Sequence, residues 1–252
     1  NSGTTLTYLT SDWGSGQKVH QDTHVLLYNR NNGNQFWVGS DGGIWRTDDG
    51  GSNFVNLNGN LNITELYDIA VDPTDATRLF GGAQDNSSSR TVNQQLWNVT
   101  RVTGDGFMNL VDPQNPQTVI QTSYPSSGRP NLYRSTSGGD PNSFVKLNMS
   151  SVTQNEPWPW VTPLAIVAHL GSSYYFVGSH RPYLSANTGT SWTALANAGF
   201  TPNSIRVMVP YSNGANLALF VGVSNGQIFR CDNVLAGTPV WMEITNNFPA
   251  AS

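Results

Sequence analysis

Lysine is almost missing from this chain of 252 residues: there are two, Lys18 and Lys146, among twelve basic residues. Glutamate is nearly as scarce, at three, and charged residues of both signs make up only 11%. The net charge of −4 gives no basic stripe for a phosphate backbone and no polybasic patch for anionic lipid. Nucleic acid is therefore not expected as a partner. No stretch reaches the ~18 apolar residues that a membrane-spanning helix needs. One cysteine, Cys231, excludes an internal disulfide. The shortage of Glu, with no Phe/Tyr-Arg-Ile/Leu-Pro line, argues against the Tyr/Glu pair and arginine triad of a sialidase. His169 and His180 come without a nucleophile signature, so triad chemistry has no support.

Asn, Ser, Thr and aromatics fill the space that charge leaves. There are 28 Asn, and aromatics equal charged residues at 11%. An Asn/Thr/Ser-rich, Lys-poor surface is the composition of an exported protein, and the secreted, extracellular compartment is the expectation. The first residue is Asn1 rather than Met, as in a processed mature form or an excised fragment. Sequons stand at Asn62, Asn86, Asn98 and Asn148.

Repetition is the strongest positive signal. The line Thr47-Asp48-Asp49-Gly50-Gly51-Ser52-Asn53-Phe54 returns as Ser185, Asn187, Gly189, Trp192, and more loosely as Ser135, Ser137, Gly139, Phe144. Weaker echoes begin at Thr91 and Cys231. The starts at 47, 91, 135, 185 and 231 lie 44, 44, 50 and 46 residues apart, the period of a four-stranded propeller blade. The spacing predicts an all-β fold, a β-propeller of five four-stranded antiparallel blades forming one domain over 1–252. The blades are expected at 24–61, 65–102, 106–148, 160–198 and 204–248, with 1–23 as a closing segment or the remnant of a further blade. Short β-branched runs such as Ala165–His169 and Ala218–Val223, bounded by Gly, Pro and Asn, read as strands. Asp72-Pro73 and Asp112-Pro113 end the innermost strands, since Pro offers the ladder no donor.

The turn chemistry accounts for the repeated residue types. A short acceptor takes the N–H groups of its own turn, glycine supplies a positive φ, and the aromatic plugs the hairpin. Thr47–Phe54 and Ser185–Trp192 resemble the Asp-box of sialidase-type repeat propellers. That resemblance implies an outer turn away from the ligand, so Asp49 is read as structural.

Several further lines occur in order: His20-Gln21-Asp22-Thr23-His24, Val38-Gly39-Ser40-Asp41-Gly42-Gly43-Ile44-Trp45-Arg46, Leu66-Tyr67-Asp68-Ile69-Ala70-Val71-Asp72-Pro73, Gly81-Gly82-Ala83-Gln84-Asp85-Asn86 and Gly104-Asp105-Gly106-Phe107. Together they resemble bacterial sortilin-like propellers and family 74 glycoside hydrolases. The hydrolase resemblance implies catalytic carboxylates at Asp41 and Asp105 and an inverting mechanism, with one carboxyl protonating the leaving oxygen and the other activating water. Read from its residues, Asp41 is also a hairpin-turn acceptor, since Asp-Gly is a turn signal. Asp85 is a candidate polar ligand contact.

Two insertions interrupt the period, Gln84–Trp97, which overlaps a degraded outer hairpin expected around Ser87–Val102, and Ser151–Val161. The second carries Trp158 and Trp160 around Pro159, either a platform for sugar rings or a plug between blades. His20, Asp22 and His24 alternate on what reads as an incoming strand and would share a face. Their ~6.5–7 Å spacing suits a hydrogen-bonded ligand-facing motif better than one ion, so no metal and no cofactor is expected. The expected partner of a monomeric chain is a polysaccharide or glycan, hydrolysed or only bound. The alternative is a sortilin-like propeller that captures a protein or peptide, or a piece of a larger cell-surface protein.

Overall fold

The computed structural model describes residues 19–59, 61, 64–100, 104–196, 198, 200 and 202–245. The expected closing segment lies, up to residue 18, outside the described residues. All described regular structure is β: twenty strands in five four-stranded antiparallel sheets, each built from consecutive strands. The expected five blades are present, and the fold is a β-propeller. The chain divides into two compact units, Asn1–Glu65 and Leu66–Ser252.

The first unit holds β1 (Thr23–Asn29), β2 (Asn32–Ser40), β3 (Gly43–Thr47) and β4 (Val55–Asn56). Its core is small: Val19, Phe36 and Val38 are buried, with Trp45 and Phe54 packed against them. Val25, Leu26, Leu27 and Tyr28 of β1 remain exposed.

The second unit carries four blades. They comprise β5 to β8 (Asp68–Asp72, Asp75–Gly82, Ser88–Val92, Asn98–Val99) and β9 to β12 (Asn109–Val111, Val119–Ser126, Arg129–Ser135, Val145–Lys146). After these come β13 to β16 (Leu164–His169, Ser172–Gly178, Pro182–Ser185, Thr193–Ala194) and β17 to β20 (Ile205–Ser212, Leu217–Val223, Ile228–Cys231, Trp241–Glu243). Part of the expected insertion Gln84–Trp97 is strand and belongs to the outer hairpin expected around Ser87–Val102: Ser88–Val92 pairs with Arg78–Gly82 on one side and with Asn98–Val99 on the other. Polar Ser-Ser-Ser-Arg-Thr hides the usual apolar signature of a third strand. Ser151–Val161, by contrast, contains no strand.

Burial is heaviest in second strands. Leu217, Leu219 and Val221 of β18 are fully buried, as is Phe176 of β14, each removal from water contributing about 1.5–3 kcal/mol.

The repeated turns join the third and fourth strands of each blade. In the first, the Thr47 hydroxyl accepts the Gly51 N–H at 2.9 Å while donating to Asp49 at 2.9 Å. Asp49 in turn accepts from the Asn53 backbone at 2.9 Å and from its side chain at 2.7 Å. Those bonds, led by the Asn53 backbone N–H, lower the Asp49 carboxyl to about 2. Ser185 accepts from Gly189 at 3.0 Å and Asn187 from Ser191 at 2.9 Å, repeating the pattern with a neutral amide. Ser135 accepts from Gly139 at 3.1 Å. Thr91 departs: its hydroxyl donates to the Gln94 carbonyl at 2.7 Å.

Arginines dock these turns onto the preceding blade. Arg78 and Arg90 donate to the Gly138 carbonyl, and Arg134 donates to Thr188. At the turns after the innermost strands, Asp72 pairs with Arg78 out of solvent, and Asp112 accepts from Ser173 and Tyr175 of the next blade.

Strand direction fixes what shares an end. In an antiparallel blade of consecutive strands, the first and third turns leave one end, while the second turn and the link to the next blade leave the other. The repeated turns and the Asp-Pro turns therefore sit together. Residues 83–87, 100, 104–108, 127–128, 148–163 and 179–181 collect at the opposite end of the second unit.

Candidate functional site

At that opposite end two segments are zipped together. The Asp85 N–H donates to Asp105 Oδ1 at 2.8 Å, Ser87 N–H to the Gly104 carbonyl at 2.9 Å, and Gly106 N–H to the Ala83 carbonyl at 3.0 Å. Glycine is required at the crossing. A Cβ on Gly82 would lie 2.0 Å from the Phe107 carbonyl oxygen, and one on Gly106 would lie 2.4 Å from the backbone of Ser87. Asp85 and Ser87 hold φ of 58° and 65°, a left-handed conformation costly for non-glycine residues and frequent where a ligand is gripped. One Asp105 oxygen is thus held by a backbone donor.

Directly beyond Asp105 an aromatic trio forms. Phe107 is fully buried, and its ring centroid lies 5.0 Å from that of Tyr67 and 4.8 Å from that of Trp160. Tyr67 and Trp160 meet edge to face at 5.9 Å. Both remain substantially exposed, at 44% and 45%. Phe107 seats the pair, leaving two rigid apolar surfaces open to solvent. The Tyr67 hydroxyl donates to Gln84 Oε1 at 3.0 Å, tying the trio to the Asp85 turn. The neighbouring Asp68 accepts the Asn109 N–H at 2.7 Å, yet burial raises its carboxyl above the usual range.

The loop that delivers Trp160 is anchored by Glu156. Its carboxylate is 5% exposed, accepts from the Ser179 hydroxyl, and meets Arg181 Nε at 3.2 Å. Arg181 also donates to His180 Nε2 at 2.9 Å, which makes that nitrogen the unprotonated one. Burial lowers the His180 pKa, in keeping with a neutral ring. Trp158 stacks on Tyr183 at 5.6 Å and packs into the core shared by the third and fourth blades. Of the Trp158 and Trp160 pair, Trp158 is inward and Trp160 outward.

In the first unit, Asp41 lies in the turn between β2 and β3, exposed and paired with His24. Its N–H donates to the Asp22 carbonyl at 3.3 Å. The expected alternation of His20, Asp22 and His24 along a strand is not observed: β1 begins at Thr23, and Asp22, at φ 54°, breaks the extended run before it. His20 precedes that break with Nδ1 3.2 Å from the Gln21 carbonyl.

Of the expected site residues, Asp85, Asp105 and Trp160 thus fall within one end of the second unit. Tyr67, Phe107, Gln84 and Glu156 had not been assigned a role. Tyr67 and Phe107 did lie inside two of the quoted lines, so the signal was an aromatic beside each carboxylate. Glu156, one of three glutamates, lay in the insertion.

No protein-family model matches this chain, and no curated protein does. Solved structures do match. An ancestral GH74 enzyme is similar at TM-score 0.59 and 14% identity, covering 91% of this chain and 32% of its own. The GH74 enzyme of Niastella koreensis is similar at TM-score 0.52 and 20% identity, covering 87% and 31%. The Cps50 (Swd1) β-propeller domain of Myceliophteria thermophila gives TM-score 0.51 and 13% identity, covering 90% and 75%. These place the chain in the propeller class. The chain spans about a third of the length of the two GH74 enzymes it matches.

Proposed function

We propose that this chain is a secreted Asp-box propeller that binds a polysaccharide or glycan on the surface formed by Tyr67 and Trp160. The observation that carries the reading is the aromatic trio: two exposed rings fixed on a buried third, beside Asp105, Asp85 and Gln84. Flat rings take the C–H faces of a sugar at small entropic cost, and a carboxylate and an amide at their margin orient its hydroxyls. The likeness to GH74 enzymes and a surface poor in charge support the same ligand class. Secretion follows from the composition alone.

The test is titration of the full chain with neutral oligosaccharides, monitored by tryptophan fluorescence. Saturable binding that Trp160→Ala weakens supports the reading; an unchanged Trp160→Ala titration ends it. Reducing-sugar assays decide whether the bound glycan is also hydrolysed, with Asp105 as the carboxylate to test. Release that disappears in Asp105→Asn makes the chain a hydrolase, and no release from wild type leaves a binding propeller.

A further inference from the structure

At the same end of the third blade a cavity of about 260 Å3 opens beside the β10–β11 turn and the last residues of β12. Its wall carries two cations, Arg129 and Lys146, and no carboxylate. This is an unusual use of charge in a chain with net charge −4 and two lysines. Neither cation takes part in an ion pair among the described residues. Arg129 Nε is buried without a hydrogen-bond partner, and a buried donor left unmade is costly unless a ligand completes it.

The remaining wall is neutral. Asn131 gives its amide hydrogens to the Tyr124 carbonyl at 2.8 Å and the Ser126 hydroxyl at 2.9 Å, so it turns an acceptor rather than a donor outward. Leu147 and Met149 supply apolar surface. The volume falls just under the ~300–1,000 Å3 of drug-sized sites, which suits one sugar residue. Tyr124, whose carbonyl holds Asn131, lies against Gly104, the residue before Asp105.

We propose that this cavity binds the carboxylate of a uronic acid residue, so that the glycan recognised at this end is an acidic one; this rests on the glycan-binding reading above. Arg129 and Lys146 share the two carboxylate oxygens, with a guanidinium matched to a planar acid. Asn131 takes a ring hydroxyl. The acidic protein as a whole repels dense polyanions, so a single carboxylate on an otherwise neutral ring is the anion that fits.

The experiment titrates the full chain with free glucuronate and galacturonate, with glucose and galactose as neutral counterparts and inorganic sulfate as competitor. The expected result is uronate binding at least tenfold tighter than its neutral counterpart, with a margin that shrinks as salt rises. Arg129→Gln and Lys146→Gln each remove most of that margin without shifting the melting temperature. Equal binding of acid and neutral sugar overturns the proposal, as does a margin that survives both variants. Sulfate displacing uronate at equal concentration also overturns it, since the cavity would then read charge and not sugar. Neutral oligosaccharides that bind through Trp160 while uronate shows no margin sink the cavity alone. Uronate bound through Arg129 with Trp160→Ala inert sinks the aromatic surface alone.

Discussion

The two ends of the blades obey different rules. At one end the same turn is built again and again: a buried hydroxyl or thiol at Thr47, Thr91, Ser135, Ser185 and Cys231 heads each one, and none is more than 4% exposed. At the other end no two connections are alike, ranging from the tight Ser127-Gly128 turn to the strandless run 148–163. The repeated end is where hydrogen bonds are satisfied internally and blades are docked by arginine. The irregular end is where strained backbone, exposed aromatics and an unpartnered arginine accumulate. Sameness marks support, and difference marks the end on which the proposed glycan surface lies, as in scaffolds whose loops carry function.

The sharpest way to break this contrast is to strike the supporting end and measure binding. Asp72→Ala leaves the Arg78 guanidinium without its buried partner. It is expected to cost about 3–5 kcal/mol in urea denaturation, while the glycan affinity of the molecules still folded stays unchanged. Ser185→Ala removes the acceptor of the Gly189 and Asn187 N–H groups and is expected to cost about 1–3 kcal/mol on the same assay. At the recognising end the balance reverses. Trp160→Ala should lower glycan affinity about tenfold, or ~1.4 kcal/mol, with little change in melting temperature because the ring is 45% exposed.

The smallest effect separates one repeated turn from another. Asp49 is depressed to about 2 from 3.8 by the Asn53 and Thr47 hydrogen bonds, so its contribution is whole above 3.8 and is lost as pH falls towards about 2. Asn187, its counterpart, does not titrate. Acid titration followed by NMR should loosen the Asn53 amide before the Ser191 amide, and Asp49→Asn should abolish the difference. Simultaneous loss of both would show that the turns are not held by the acceptors named here.

Much of the supporting end was legible in the sequence because repetition averages out local noise. The period alone set the number of blades, and with four strands to each blade the number of strands. The outer hairpin of the second blade is legible only as a degraded one overlapping an insertion, because Ser88–Val92 pairs through its backbone and carries no apolar stripe. At the recognising end only fragments were legible. Asp105 and Asp85 stood in quotable lines, but their mutual hydrogen bond joins residues 20 apart. Trp158 and Trp160 look equivalent until Tyr183, far along the chain, claims one of them. Arg129 drew no attention because a cation is informative only when its surroundings lack an acid, and surroundings are a property of the fold.

The sole sulfur nucleophile of the chain heads the last repeated turn. Cys231 is 1% exposed, and burial pushes its thiol above the ordinary range. In the closed blade the thiol is neither reachable nor ionised, so alkylating reagents cannot touch it until that blade opens. The rate of labelling at this one atom is a clock for the opening of the fifth blade, already built into the wild-type chain and requiring no engineered probe.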